Sequence, residues 1–93
     1  MKLVSLADCN KSDIGIVRQI DESKMPKKVG LMAGEVEARL LEMGFIEGAR
    51  LEVLHFGAWG HDPIAVRINN SNSIIALRKN EASAIWLEKI KND

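Results

Sequence analysis

The segment that most constrains this chain is RLLEMGFIEG at residues 39–48, where a helical pattern ends in glycine and a strand pattern follows at once. Four apolar residues precede or enter it at helical spacing: Met32, Val36, Leu40 and Met43. They predict the buried stripe of an amphipathic helix. Gly44 suits the left-handed residue that closes a helix, and Phe45 can then fold back onto Leu40. The chain therefore places one helix directly before an extended strand, which we expect over residues 49–56.

The remaining chain has the alternation of short antiparallel strands. Strands are predicted near residues 14–20, 49–56, 64–69, 75–77 and 85–87, with turns at 57–63 and 69–73 and one helical turn at 80–83. Residues 21–34 are predicted to form a connecting loop and residues 89–93 a tail. Five short strands cannot bury both faces of an open sheet of this size. We therefore expect a single domain over residues 1–93, mainly β, forming a small SH3-like five-stranded barrel with one amphipathic helix after the first strand.

Charge and hydropathy exclude several classes of protein. Lys plus Arg and Asp plus Glu number 13 each, so the net charge is zero, which argues against a protein held mainly by nucleic-acid phosphates or anionic lipid. The longest apolar runs, at 74–77 and 84–87, are far too short to insert into a membrane. One cysteine allows no internal disulfide, and the apolar N-terminal stretch is too short for a secretion signal. We therefore expect a cytoplasmic protein.

Three motifs together resemble one family. They are RLLEMGF at 39–45 with Gly48, then Gly60 with the DPI run at 62–64, then LRK at 77–79 with Glu81, Ala82 and Ile85. In this order and spacing, over about residues 32–90, they resemble the FeoA family, the small cytoplasmic proteins of bacterial ferrous iron uptake. They also resemble the SH3-like domain at the C-terminus of iron-dependent repressors. Because no helix-turn-helix precedes the motifs, the free-standing transport protein is the closer resemblance.

The resemblance implies an accessory protein for FeoB, the membrane permease that carries a cytoplasmic GTP-binding domain. Such a protein would bind the cytoplasmic part of FeoB and modulate its assembly or GTPase activity. The resemblance requires no cofactor, and it leaves open a divalent transition metal such as ferrous iron. The alternative is a free-standing metal-responsive regulatory module related to the repressor domain. A small barrel that binds nucleic acid ranks third, because the lysines lack the interleaved aromatics of such a face.

Trp59, in a turn between two glycines, is the natural anchor for a protein partner. The alternative is that it folds back over the barrel, whereas for Trp86, in the last strand, we favour packing over an exposed edge. The predicted partner-binding residues are Trp59, His61, Asp62, Arg67 and Arg78. Edge strands of a small barrel can also pair with each other, which leaves a homo-oligomer open.

The chain lacks the usual parts of an enzyme, since it has no P-loop, no GxGxxG and no Cys-x-x-Cys. A GTPase activator needs only one arginine supplied to the transferring phosphate, and Arg39, Arg67 and Arg78 are the arginines to test. The alternative for each is a solvated surface charge.

Metal ligation is the last chemistry that the residues suggest. His55 and His61 are the candidate ligands, with Asp62 and Cys9 as further donors, but their spacing matches no closed metal site. His55 falls on the same predicted strand face as Leu51 and Val53, whereas His61 lies in a turn. We therefore favour one partly buried and one exposed histidine, with no metal bound. For Asp62, which precedes Pro63, a structural role in starting the turn is the alternative.

Overall fold

The computed structural model describes residues 2–26 and 32–90. Its strands are β1 (Val4–Ser5), β2 (Ile14–Ile20), β3 (Arg50–Phe56), β4 (Ile64–Ile68), β5 (Ile74–Leu77) and β6 (Ile85–Ile90). Its α-helices are α1 (Glu35–Glu42) and the single turn α2 (Lys79–Ala82). Two 3₁₀ turns span Leu6–Asp8 and Glu22–Lys24. No helix among these residues is long and apolar enough to span a membrane.

The strands form one antiparallel sheet in the order β1-β6-β2-β3-β4-β5. The prediction of a mainly β fold with one amphipathic helix after the strand at 14–20 is confirmed. The count of five strands was one too few, because β1 pairs Val4 with Leu87 and Ser5 with Trp86 over only two residues. A strand this short shows no alternation. β6 continues through Ile90, so Lys89 and Ile90 of the expected tail are in the sheet, while residues 91–93 lie outside the described residues.

Helix α1 begins at Glu35, whereas the apolar stripe predicted a start near Met32. Met32 is 75% exposed and precedes the helix, whose N-cap is Gly34 in a left-handed conformation. The Glu22 carboxylate accepts hydrogen bonds from the Gly34 and Glu37 amides at 3.0 and 3.1 Å. A side chain from the preceding 3₁₀ turn thus satisfies amides that an N-cap residue would otherwise serve. Residues 27–31 of the predicted loop lie outside the described residues.

The end of α1 is as predicted. Gly44 has a φ of +105°, and the Phe45 amide donates to the Leu40 carbonyl at 3.1 Å. Leu40 and Phe45 are fully buried in a core cluster to which β2 through β6 and both helices contribute. The glycine therefore closes α1, and a second turn at residues 47–48 leads into β3 at Arg50.

Candidate partner-binding turn

The connection between β3 and β4, residues 57–63, is a closed and internally bonded segment that we call the Trp59 turn. The Gly57 amide donates to the Pro63 carbonyl at 2.7 Å, and the Asp62 amide donates to the Trp59 carbonyl at 3.2 Å. A Cβ on Gly57 would lie 2.3 Å from the carbonyl oxygen of Asp62. Only glycine fits a backbone approach this close.

His61 holds the tip of the Trp59 turn against the sheet. Its backbone is left-handed, with a φ of +64°. Its ring stacks on Phe56 of β3, with centroids 4.5 Å apart and planes 15° from parallel. The imidazole therefore packs on one face against the protein's own side chain, and this contact limits the movement of the turn.

Asp62 connects the Trp59 turn to α2. One carboxylate oxygen accepts from the Lys79 backbone amide at 3.0 Å, at the start of the helical turn. The Glu81 carboxylate forms an ion pair with Arg39 of α1 and accepts from the Arg78 amide at 3.4 Å. Two carboxylates thus join the Trp59 turn, α2 and α1.

Replacing Asp62 with alanine should therefore lower stability, because the Lys79 amide loses its acceptor. The loss of a capping carboxylate costs about 1 kcal/mol. In a domain of this size that corresponds to a fall in Tm of about 4–8 °C. Asp62→Asn is the matched control, since its amide oxygen can still accept the bond and should recover most of the Tm. Equal Tm values for Asp62→Ala and the unmodified chain, measured by thermal circular dichroism, would contradict the capping role.

Trp59 projects from the tip of this braced turn. Its side chain is 86% exposed, so it does not fold back over the sheet. The other tryptophan, Trp86, is half-buried in β6, in line with the packing that we favoured for it. A large aromatic side chain is thereby presented to solvent on a fixed backbone.

The three candidate arginines differ in their exposure and in the ion pairs that they form within the protein. Arg67 of β4 pairs with Glu52 across the sheet at 3.4 Å, and Arg39 is held by Glu81. The Arg78 side chain is 74% exposed, and its closest ion-pair contact, to Asp62, is at 4.0 Å. The structure thus brings Trp59, His61, Asp62 and Arg78 together around the Trp59 turn and α2. Arg67 lies toward the opposite end of β4 from the turn.

The candidate metal ligands are not gathered into a cluster. The strand alternation predicted that His55 would share the buried face of Leu51 and Val53, but the pairing register shifts between Val53 and His55 and leaves the histidine exposed. That prediction was wrong because a bulge cannot be read from alternation. Within residues 2–26 and 32–90, no group of three or more His, Cys, Asp or Glu side chains could hold a metal ion.

Cys9, the other donor considered, lies in the core. Its side chain is buried, and its sulfur donates to the Ser5 carbonyl at 3.5 Å. Burial, with a smaller contribution from the charge of Asp13, raises the pKa of the Cys9 thiol from 9.0 to about 11. The neutral thiol is thus the form that the fold favours, and not the thiolate that ligates metals.

This shift predicts a specific dependence of stability on pH. Because the folded pKa lies above the unfolded one, the contribution is complete below pH 9 and is lost as the pH rises toward 11. Between pH 8 and pH 10 the free energy of unfolding should fall by about 1 kcal/mol from this group alone. Urea titrations of the unmodified chain and of Cys9→Ala at both pH values isolate this effect, since the two chains differ only in the thiol. Parallel pH profiles would show that the thiol does not contribute.

Sequence reasoning missed the residues that brace the Trp59 turn. Phe56 was assigned only to a strand, and the capped amide of Lys79 is 17 residues from Asp62 in the chain. The sequence signals are the glycine at position 57, which begins the turn, and Asp62 before Pro63, which indicates a turn but not the contact with Lys79.

Comparison with known proteins identifies a family and solved structures that share this fold. Residues 4–89 match the model of the FeoA domain. FeoA from Chlorobium tepidum is 28% identical, with a TM-score of 0.72 over 97% of this chain and 73% of that one. Zinc-bound Stenotrophomonas maltophilia FeoA, described as a prokaryotic SH3-domain protein, is 22% identical, with a TM-score of 0.69 over 91% of this chain and 89% of that one.

A manganese-dependent transcriptional repressor in complex with manganese shares the fold. It is 21% identical, with a TM-score of 0.76 over 97% of this chain but only 38% of the repressor. No curated protein sequence is significantly similar to the chain. Because the family model covers nearly the whole sequence, the chain belongs to the FeoA family.

Proposed function

We propose that this protein is a cytoplasmic accessory factor of bacterial ferrous iron uptake that binds the cytoplasmic part of a FeoB-type permease through the Trp59 turn. Membership of the FeoA family supports the transport role. The Stenotrophomonas maltophilia relative is itself described as a candidate activating factor for ferrous iron transport. The observation that carries the proposal is a tryptophan that is 86% exposed on a closed, braced turn.

The Trp59 turn has the properties of a binding anchor. Tryptophan and arginine are the residues that most often carry the energy of an interface, and Arg78 lies beside the turn at Asp62. The Gly57, His61 and Asp62 contacts already hold the backbone, so little conformational entropy remains to be lost on binding. A partner surface with an apolar pocket for Trp59 and a neighbouring carboxylate or phosphate for Arg78 would be complementary to this surface.

Binding of this kind would modulate the permease without catalysis by the chain itself. Of the three arginines proposed for an activator, Arg78 is the one that the structure leaves most exposed, while Arg39 and Arg67 form ion pairs with Glu81 and Glu52. If one arginine acts on the GTP-binding domain, we propose Arg78. Relatives bound to zinc or manganese support a divalent transition metal as a further ligand, for which this chain would offer His55 and His61.

The test is equilibrium binding of the full chain to full-length FeoB of the same organism in lipid nanodiscs, with GDP and with a GTP analogue, and with and without ferrous iron. Saturable binding and an altered rate of GTP turnover are the expected results. No binding in any state would overturn the proposal and favour the metal-responsive regulatory module.

Arg78→Gln should slow association with FeoB several-fold, because exposed charges at an interface act mainly on the association rate. Arg67→Gln is the matched control, since it removes the same charge from a residue already paired with Glu52. Surface plasmon resonance at low and physiological salt measures both rates. Equal association rates for the two variants would exclude Arg78 from the interface.

A further inference from the structure

The molecule has a surface groove that is separate from the Trp59 turn. The N-terminal 3₁₀ turn, the segment after Glu22–Lys24, α2 and β6 enclose an open groove of about 480 Å³. Its lining is mostly apolar and includes Ala7, Pro26 and Trp86. The volume is in the usual range of ligand sites, roughly 300–1,000 Å³. The groove is thus large enough for a short segment of chain and too small for a globular surface.

The Trp86 side chain supplies an unused hydrogen-bond donor at this groove. Its indole nitrogen is buried and has no hydrogen-bond partner among the described residues. Buried N–H groups are almost always bonded, and one that is not requires an explanation. The nitrogen has almost no solvent-accessible surface, so the backbone carbonyl of a ligand would satisfy it only after the side chains around it move.

The charges around the groove define the ligand further. Lys24 and Lys79, from separate elements, line it together with Asp8, the one acid among the described lining residues. Among the described residues neither lysine forms an ion pair, in contrast to Lys89, which pairs with Asp13 at 3.2 Å. Two unpaired cations against one carboxylate favour a ligand of negative charge.

We propose that this groove binds a short, extended acidic peptide segment of a partner protein. A carbonyl of the segment accepts from the Trp86 indole, an apolar or proline side chain packs between Ala7 and Pro26, and a carboxylate meets Lys24 and Lys79. Aromatic-lined grooves that bind extended, proline-containing segments are a recurrent mode of peptide recognition. The inference does not depend on the proposed function, because its test uses no FeoB; of the lining residues named here, only Lys79 also contacts the Trp59 turn.

The test is a ¹⁵N NMR titration of the full chain with two blocked peptides, acetyl-ELPEL-amide and its basic counterpart acetyl-KLPKL-amide. The chain has two indole N–H resonances, which Trp59→Phe assigns. We expect the acidic peptide to move the Trp86 indole proton downfield in a saturable manner below about 10 mM, while the Trp59 resonance stays in place. No movement at that concentration, or equal movement with the basic peptide, would overturn the proposal.

Variants separate the contributions of the lysine charges and of the Trp86 N–H to peptide binding. The double variant Lys24→Glu, Lys79→Glu should bind the acidic peptide with an affinity at least fivefold lower. Trp86→Phe keeps an aromatic ring but removes the N–H, and the backbone amides of Asn80 and Ser83 then report its weakened binding. If sodium glutamate alone reproduces the shift, the site takes free carboxylates and the peptide proposal is wrong.

Discussion

Replacing Trp59 with alanine is expected to weaken binding to FeoB about 30-fold, because a central tryptophan anchor contributes about 2 kcal/mol or more. The Tm should stay within about 2 °C of the unmodified chain, because a surface substitution with few internal contacts changes stability little. The side chain is 86% exposed, so the free protein loses almost no packing. Isothermal titration calorimetry with FeoB and thermal circular dichroism measure the two quantities on the same preparation.

Trp59→Phe is the matched control for this prediction. It retains an aromatic ring of smaller area, so it should lose less affinity than the alanine variant. Affinity for FeoB that is unchanged in Trp59→Ala would exclude Trp59 as the anchor even if the chain binds FeoB by another face.

Gly57→Ala should open the Trp59 turn. The added Cβ would lie 2.3 Å from the Asp62 carbonyl oxygen and 2.5 Å from Pro63 Cδ, so the two ends of the turn must separate. Overpacking of this kind costs about 1–3 kcal/mol. The same movement displaces Asp62 from the Lys79 amide and His61 from Phe56. We therefore expect a lower Tm together with weaker FeoB binding.

Gly60→Asn is the control for the steric argument. Gly60 lies in the same turn, has a φ of +62°, and would place a Cβ in open space. Asparagine tolerates this left-handed conformation, so the variant should keep nearly the original Tm. If Gly57→Ala unfolds no earlier than Gly60→Asn, the close approach at Gly57 does not constrain the turn.

The parts of the fold that could be predicted depend on neighbours in the sequence. Gly44 and Phe45 end the helix through contacts only a few residues apart, and the alternating burial of residues 50–53 in β3 reflects a local period. The parts that could not be predicted depend on distant residues. The start of α1 is set by Glu22, which reaches the Gly34 amide, and not by the spacing of Met32 and Val36.

In the candidate site, too, features set by neighbouring residues could be predicted and features set by distant residues could not. Two flanking glycines indicated that Trp59 lies in a turn, but its exposure depends on the closure between Gly57 and Pro63, which no local pattern reveals. The role of Asp62 could be predicted only as turn formation, because the amide that it caps is 17 residues away. The bulge before His55 reversed the predicted burial of that histidine for the same reason.

An NMR titration of the ¹⁵N-labelled chain with the soluble GTP-binding domain of the same organism's FeoB, in GDP and GTP-analogue states, tests whether this domain binds through the Trp59 turn. We expect saturable shifts in residues 57–63, Arg78 and Lys79, including the Trp59 indole, while the Trp86 indole is unmoved. Shifts confined to other faces, or none in either nucleotide state, would contradict binding of this domain through the Trp59 turn.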